Sequence, residues 1–170
     1  MKLPNKNLIT LLACLIFSQI SFADLNFTGV WQLDLNASES VDEILKAQGK
    51  SRVERMVARS MAVTQSIQQH GNQLSVHIKS KAMDNTQLFA LDNQWKSIQT
   101  PRMGFIQAKS FISRDNNKIV TVMKITAKGK PALMTVFRSL EDNGHTMILR
   151  IRLKLESGSI YTARRVFRRV

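Results

Sequence analysis

The sequence predicts an all-β protein, a closed antiparallel barrel of ten short strands with a two-helix cap after the first strand. Three observations carry this prediction. Runs with apolar residues at every second position dominate the chain from residue 26 onward. Turn signals separate most of those runs: His70-Gly71-Asn72, Asp115-Asn116-Asn117, Lys128-Gly129-Lys130-Pro131, Asp142-Asn143-Gly144 and Ser157-Gly158. Only one stretch, 38–61, has helical spacing instead. Many short strands joined by tight turns leave exposed edges unless the sheet closes on itself.

Taken in order, the chain opens on Lys2 and Lys6, an apolar run over 8–20 and then Ser21-Phe22-Ala23. A basic start, an apolar stretch and a small-x-small site read as a secretory signal peptide spanning 1–23, with Asp24 as the mature start and the periplasm as destination. A competing reading takes Leu11-Leu12-Ala13-Cys14 as a lipoprotein cleavage site that leaves Cys14 as a lipid anchor. Cys14 is the only cysteine, so a mature chain of 24–170 has no disulfide, thiol nucleophile or thiolate metal site. That length suits a single domain. With Lys2 and Lys6 removed, 23 basic residues face 12 acidic ones, a net charge of +11. Such a surplus favours anionic partners. Nucleic acid is not expected among them, because export separates the two and no aromatic–basic stacking platform is present.

Residues 26–35 read as the first strand. Two helices follow, 38–48 and 51–61, split at Gly49, with Ser38 placed to cap the first and Asp42 and Glu43 near its first turn. Arg52, Arg55 and Arg59 fall at i, i+3 and i+7 and therefore share a face. This face is a candidate contact with anionic membranes; the plainer alternative is a solvated face. Strands are predicted at 63–69, 73–80, 86–91, 94–100, 105–114, 118–126, 132–140, 146–155 and 159–169. In 146–155, Met147, Leu149, Ile151, Leu153 and Leu155 share one side, and Arg150, Arg152 and Lys154 share the other. The apolar side should line either a packed interior or a lipid cavity. The last strand puts Arg164 and Arg168 on one face and Arg165 and Arg169 on the other. Whichever face turns inward takes a guanidinium with it, and a buried cation needs an anion.

The opening Phe27-Thr28-Gly29-Val30-Trp31 is followed by Glu39, Asp42-Glu43, Leu45-Lys46-Ala47 and Gly49. Further on come Ile67-Gln68-Gln69-His70-Gly71-Asn72-Gln73, Lys109-Ser110-Phe111, Arg138-Ser139-Leu140 and Arg165-Val166-Phe167-Arg168-Arg169. Taken in this order, these blocks resemble the intracellular lipid-binding proteins of the calycin superfamily, which include the fatty-acid-binding and cellular retinoid-binding proteins. The resemblance implies an up-and-down β-barrel of the β-clam type, whose cavity holds a fatty acid or retinoid. It also implies that the carboxylate is read by two arginines and a tyrosine. By position Arg138 and Arg165 match the arginines, and Phe167 stands in the tyrosine's place. An arginine fork grips a carboxylate through two parallel hydrogen bonds. Phe167 lacks the hydroxyl, and Tyr161 lies about 20 Å away along the strand. The family's familiar members are cytosolic, so a signal peptide marks this chain as an exported, bacterial form.

The expected function is binding of a fatty acid or similar acidic lipid by a monomer, which carries or buffers it in the cell envelope. No cofactor or metal is expected. No His-Glu-x-x-His, Gly-x-Ser-x-Gly or paired-carboxylate arrangement points to an enzyme. Two alternatives remain open from sequence. One is a basic envelope protein that binds outer-membrane polyanions on its surface. The other is a haem-binding barrel, with His77 the best axial candidate among His70, His77 and His145.

Overall fold

A computed structural model describes residues 25–101, 103–115 and 117–170. The signal-peptide and Cys14 expectations lie outside the described residues. The ten strands are β1 (Gly29–Asp34), β2 (Thr64–His70), β3 (Gln73–Ser80), β4 (Met83–Ala90), β5 (Lys96–Thr100), β6 (Gly104–Ile112), β7 (Lys118–Ala127), β8 (Lys130–Glu141), β9 (Thr146–Leu155) and β10 (Ile160–Arg169). They form one antiparallel sheet in the order β4-β3-β2-β1-β10-β9-β8-β7-β6-β5. Helices α1 (Asp42–Ala47) and α2 (Arg52–Ser60) follow β1. The sheet is a nearly closed barrel, open only where β4 and β5 face each other without a ladder.

Alternation decides which side chains go inside. In β9, Met147, Leu149 and Leu153 are buried and Ile151 and Leu155 partly so, while Arg150, Arg152 and Lys154 are exposed, as the sequence predicts. Phe27, Trp31, Ile67, Leu74 and Val76 complete the packed end, each side chain contributing about 1.5–3 kcal/mol by burial. Arg169 lies over the Trp31 ring at 4.3 Å and donates to the Thr28 carbonyl at 2.7 Å. Gly29, with φ +147°, permits this approach, since a Cβ there would sit 2.5 Å from the Arg169 guanidinium.

The first helix departs from the prediction. It starts at Asp42, and Ser38 does not cap it. Residues 37–39 instead run as a strap beside β10. Glu39 N–H donates to the Arg164 carbonyl (2.8 Å), its carboxylate accepts from Arg164 N–H (2.7 Å), and Ser38 Oγ accepts from Val166 N–H (2.9 Å). The reason is the edge of β10. Its pairing with β1 ends at Asp34 opposite Val166, and the backbone groups beyond need other partners. Helix α2 matches its expectation more closely, with Ser51 and Glu54 forming a capping box. Strand β4 begins at Met83, three residues before the predicted start, which brings Asn85 into the sheet.

Candidate functional site

Of the four carboxyl-terminal arginines, Arg165 turns inward and Arg164 and Arg168 outward, while Arg169, of inward parity, lies exposed at the end of the strand over Trp31. Outside, Arg164 meets Glu141 at 3.6 Å, and Arg168 meets Asp34 at 3.2 Å, Asp142 at 3.5 Å and the Thr146 hydroxyl at 2.7 Å. These carboxylates come from other elements, so the partners missing in the strand are supplied by the fold. Hydrogen bonds from Ala37 N–H and then Arg168 hold the Asp34 carboxyl below the usual carboxylate range.

Inside, the balance is different. Arg165 is buried and donates to the Glu39 carbonyl at 2.8 Å. Arg138 is 6% exposed, reaches the Gln65 side-chain oxygen only at 3.5 Å, and leaves its Nε without a partner. Neither pairs with a carboxylate among the described residues. Burial lowers both guanidinium pKa values, Arg138 to about 10, so both stay charged at neutral pH. The two are register neighbours across Leu149, because Arg138 pairs with Leu149 and Leu149 with Arg165. Two strand spacings put their Cα atoms about 10 Å apart on one inner wall. An anion between them would receive several charge-assisted hydrogen bonds.

Phe167 is buried one layer away, in the row Leu140–Met147–Phe167–Leu33. It closes the arginine row with an apolar floor and offers no donor. On the other side, rising toward the helices, come the rows Thr121–Val136–Ile151–Ala163 and Met123–Met134–Leu153–Tyr161. Val136, Ile151, Met123 and Met134 face inward at mid-strand yet keep accessible surface. The interior beside the arginines is therefore not filled by side chains. A separate pocket of about 470 Å³ opens at the β4–β5 gap, between inward-facing Phe89 and Ile98, and its lining includes neither arginine.

The cap carries the other predicted contacts. Arg55 and Arg59 both bind Asp42 of α1, at 3.0 and 2.9 Å, whereas Arg52 is exposed and forms no ion pair among the described residues. Arg59 and then Arg55 hold the Asp42 carboxyl below the usual range. Helix α2 buries no side chain, and Val53, Met56 and Val57 are 65%, 62% and 46% exposed. His77, the haem candidate, points outward. Its Nδ1 lies 2.9 Å from the Thr86 hydroxyl and its Nε2 3.3 Å from Asp84, so a group inside the barrel would not meet it. No metal-binding cluster occurs among the described residues, and no helix there is long and apolar enough to cross a membrane.

Two residues of the inner wall escaped sequence reading. Gln65 is buried on β2 and faces Arg138 across the barrel, and Asn85 has an unpartnered buried amide nitrogen on β4. The period-two pattern around Gln65 was legible, but a glutamine on the inner face is normally assigned outward. Asn85 follows Asp84, and that dipeptide reads as turn chemistry.

The fold is that of the fatty-acid-binding and lipid-binding proteins. Lipid binding protein 8 of Caenorhabditis elegans is similar, with 21% identity, a TM-score of 0.66, and 85% of this chain and 95% of that chain covered. A Schistosoma mansoni fatty acid binding protein in complex with arachidonic acid matches at 16% identity and TM-score 0.66, covering 85% and 96%. The fatty-acid-binding protein from Drosophila melanogaster brain matches at 22% identity and TM-score 0.61, covering 84% and 98%. No protein-family model matches the sequence, and no curated protein matches it.

Proposed function

We propose that this protein binds a fatty acid or a similar acidic lipophile inside its barrel. Arg138 and Arg165 hold the headgroup, Phe167 packs beneath it, and the rows through Val136 and Met134 surround the chain. The observation that carries this reading is the pair of inward guanidinium groups with no carboxylate partner. An uncompensated buried cation is costly, and a ligand carboxylate removes the cost. The fold shared with lipid-binding proteins supports it. The role is binding rather than catalysis, in a monomer that carries or buffers its ligand in the periplasm after removal of 1–23. The exposed apolar side of α2, flanked by Arg52, Arg55 and Arg59, gives the cap a means of touching anionic membranes, at about 1 kcal/mol per free arginine. Asp42 competes for two of the three.

Native mass spectrometry of the purified protein beside an Arg138→Ala, Arg165→Ala double variant tests the assignment. An acidic lipid bound to the first and absent from the second is expected. A mass that stays at the bare chain after incubation with fatty acids would overturn it.

One observation favours a second reading, the surface binding of outer-membrane polyanions. Lys109, Lys124, Arg150, Arg152 and Lys154 share the outer wall of β6, β7 and β9 and form no ion pair among the described residues. Binding there would weaken steeply with salt and ignore acyl chain length, whereas an interior site responds to chain length and resists salt.

A further inference from the structure

Two buried side-chain polar atoms lack a hydrogen-bond partner among the described residues: Arg138 Nε and Asn85 Nδ2. The first belongs to the headgroup site proposed above. The second does not. Asn85 shares the inner face of β4 with Phe89, and its register row runs Asn85–Ile78–Gln65 across β4, β3 and β2. Gln65, at the far end of that row, is the residue that faces Arg138. One register row, with Ile78 at its middle, thus leads from Asn85 to the residue that meets Arg138. Two strand spacings separate Asn85 from Gln65, about 10 Å.

A buried amide without a partner is retained at a cost, and a plain acyl chain leaves it unpaired. We propose that the ligand is an oxygenated acidic lipid, with a carboxylate on Arg138 and Arg165 and a hydroxyl near the middle of its chain on Asn85. This rests on the fatty-acid reading and narrows it to a substrate class. The row sets the position of the second group: Asn85 stands about 10 Å along the wall from Gln65, the residue that meets Arg138, so the group it serves lies along the acyl chain and not at the carboxylate. Hydroxyl chemistry suits the amide, because a hydroxyl both donates and accepts and so satisfies an asparagine in either orientation. Neighbouring inner-wall chemistry agrees. Gln87 lies two residues along on the same face, and Ser110 and Thr121 form a buried hydroxyl pair at 2.9 Å.

The test compares stearate with a hydroxystearate bearing its hydroxyl near mid-chain, by calorimetric titration of wild type, Asn85→Leu and Asn85→Thr. Wild type should prefer the hydroxy acid about tenfold, the worth of roughly one net hydrogen bond. Asn85→Leu should abolish the preference by weakening the hydroxy acid while leaving stearate equal or tighter. Asn85→Thr, which replaces the amide with a hydroxyl on a strand-favouring side chain, should retain part of it. Equal affinities in wild type, or a preference that survives in Asn85→Leu, would overturn the inference while leaving the fatty-acid reading standing. If wild type binds neither acid, both fall together.

Discussion

Arg138 sets a stability cost against a function. Burial holds its pKa near 10, well below the usual guanidinium range, which corresponds to about 3 kcal/mol of charge burial in the ligand-free protein. That cost persists wherever the group is protonated in both states, and it is relieved only as pH rises through about 10, where the unfolded chain binds the extra proton. Arg138→Met should therefore stabilise the empty barrel by about 1–3 kcal/mol. Scanning calorimetry would register this as a rise of about 2–4 °C per kcal/mol, with fatty-acid binding lost. An unchanged or lower melting temperature would mean that Gln65 and the surrounding wall already compensate the charge. Phe167 makes the complementary case. A hydroxyl added by Phe167→Tyr sits one layer from the arginine row, and it should tighten fatty-acid binding by about 0.5–1.5 kcal/mol, up to about tenfold. Titration with stearate measures it. Parity showed that a guanidinium must turn inward in the last strand and the family resemblance named Arg165, but Gln65 and Asn85 were not legible, because their places on the inner wall depend on how distant strands pair.

At the level of elements, the cap is held by chemistry that the helix sequences do not announce. Arg55 and Arg59 converge on Asp42, and α2 contributes no buried side chain of its own. Because the carboxyl is held below its usual 3.8, the α1–α2 contact is present above that pH and is lost as pH falls through the lowered value. Local opening of α2, read as its amide exchange relative to the intrinsic rate at each pH, should stay constant from neutrality down to about pH 4 and rise below it. Asp42→Asn should reproduce that rise at neutral pH. By freeing two guanidinium groups, it should also increase adsorption to anionic vesicles, which a flotation assay would detect. The strap of residues 37–39 was misread as helix for a related reason. Ser38 and Glu39 have ordinary helix-start chemistry, but β10 runs past the end of β1 and needs their hydrogen bonds more.

Across the whole molecule, charge and cavity are segregated. The inner wall holds two cations, and the outer wall of β6, β7 and β9 holds five that form no ion pair among the described residues. Trp95 lies between two of these five, with Lys109 at 5.2 Å and Lys124 at 4.4 Å from its ring. Replacing Lys124, Arg152 and Lys154 together with glutamate should abolish salt-sensitive retention on an anionic polysaccharide column. Fatty-acid affinity should remain within about twofold, since those side chains point away from the interior and exposed charges are screened over about 10 Å. Loss of both activities would tie the outer wall to the ligand site.

Periodicity by itself determined the ten strands, the inward face of β9, and the presence of two arginines on each face of β10, because a strand's two faces are fixed by backbone geometry. The ordered motifs from Phe27 to Arg169 brought Arg138 and Arg165 together before any coordinates. Tertiary structure alone decided which cations were neutralised. Asp34, Asp142 and Glu141 reach the outer arginines from distant elements, and nothing of the kind reaches the inner pair. It also placed Asn85 in the register row of Gln65, the residue that meets Arg138 from across the barrel. Pairing across a closed sheet depends on where every strand lands. Such long-range choices leave no local signal in a chain read one residue at a time.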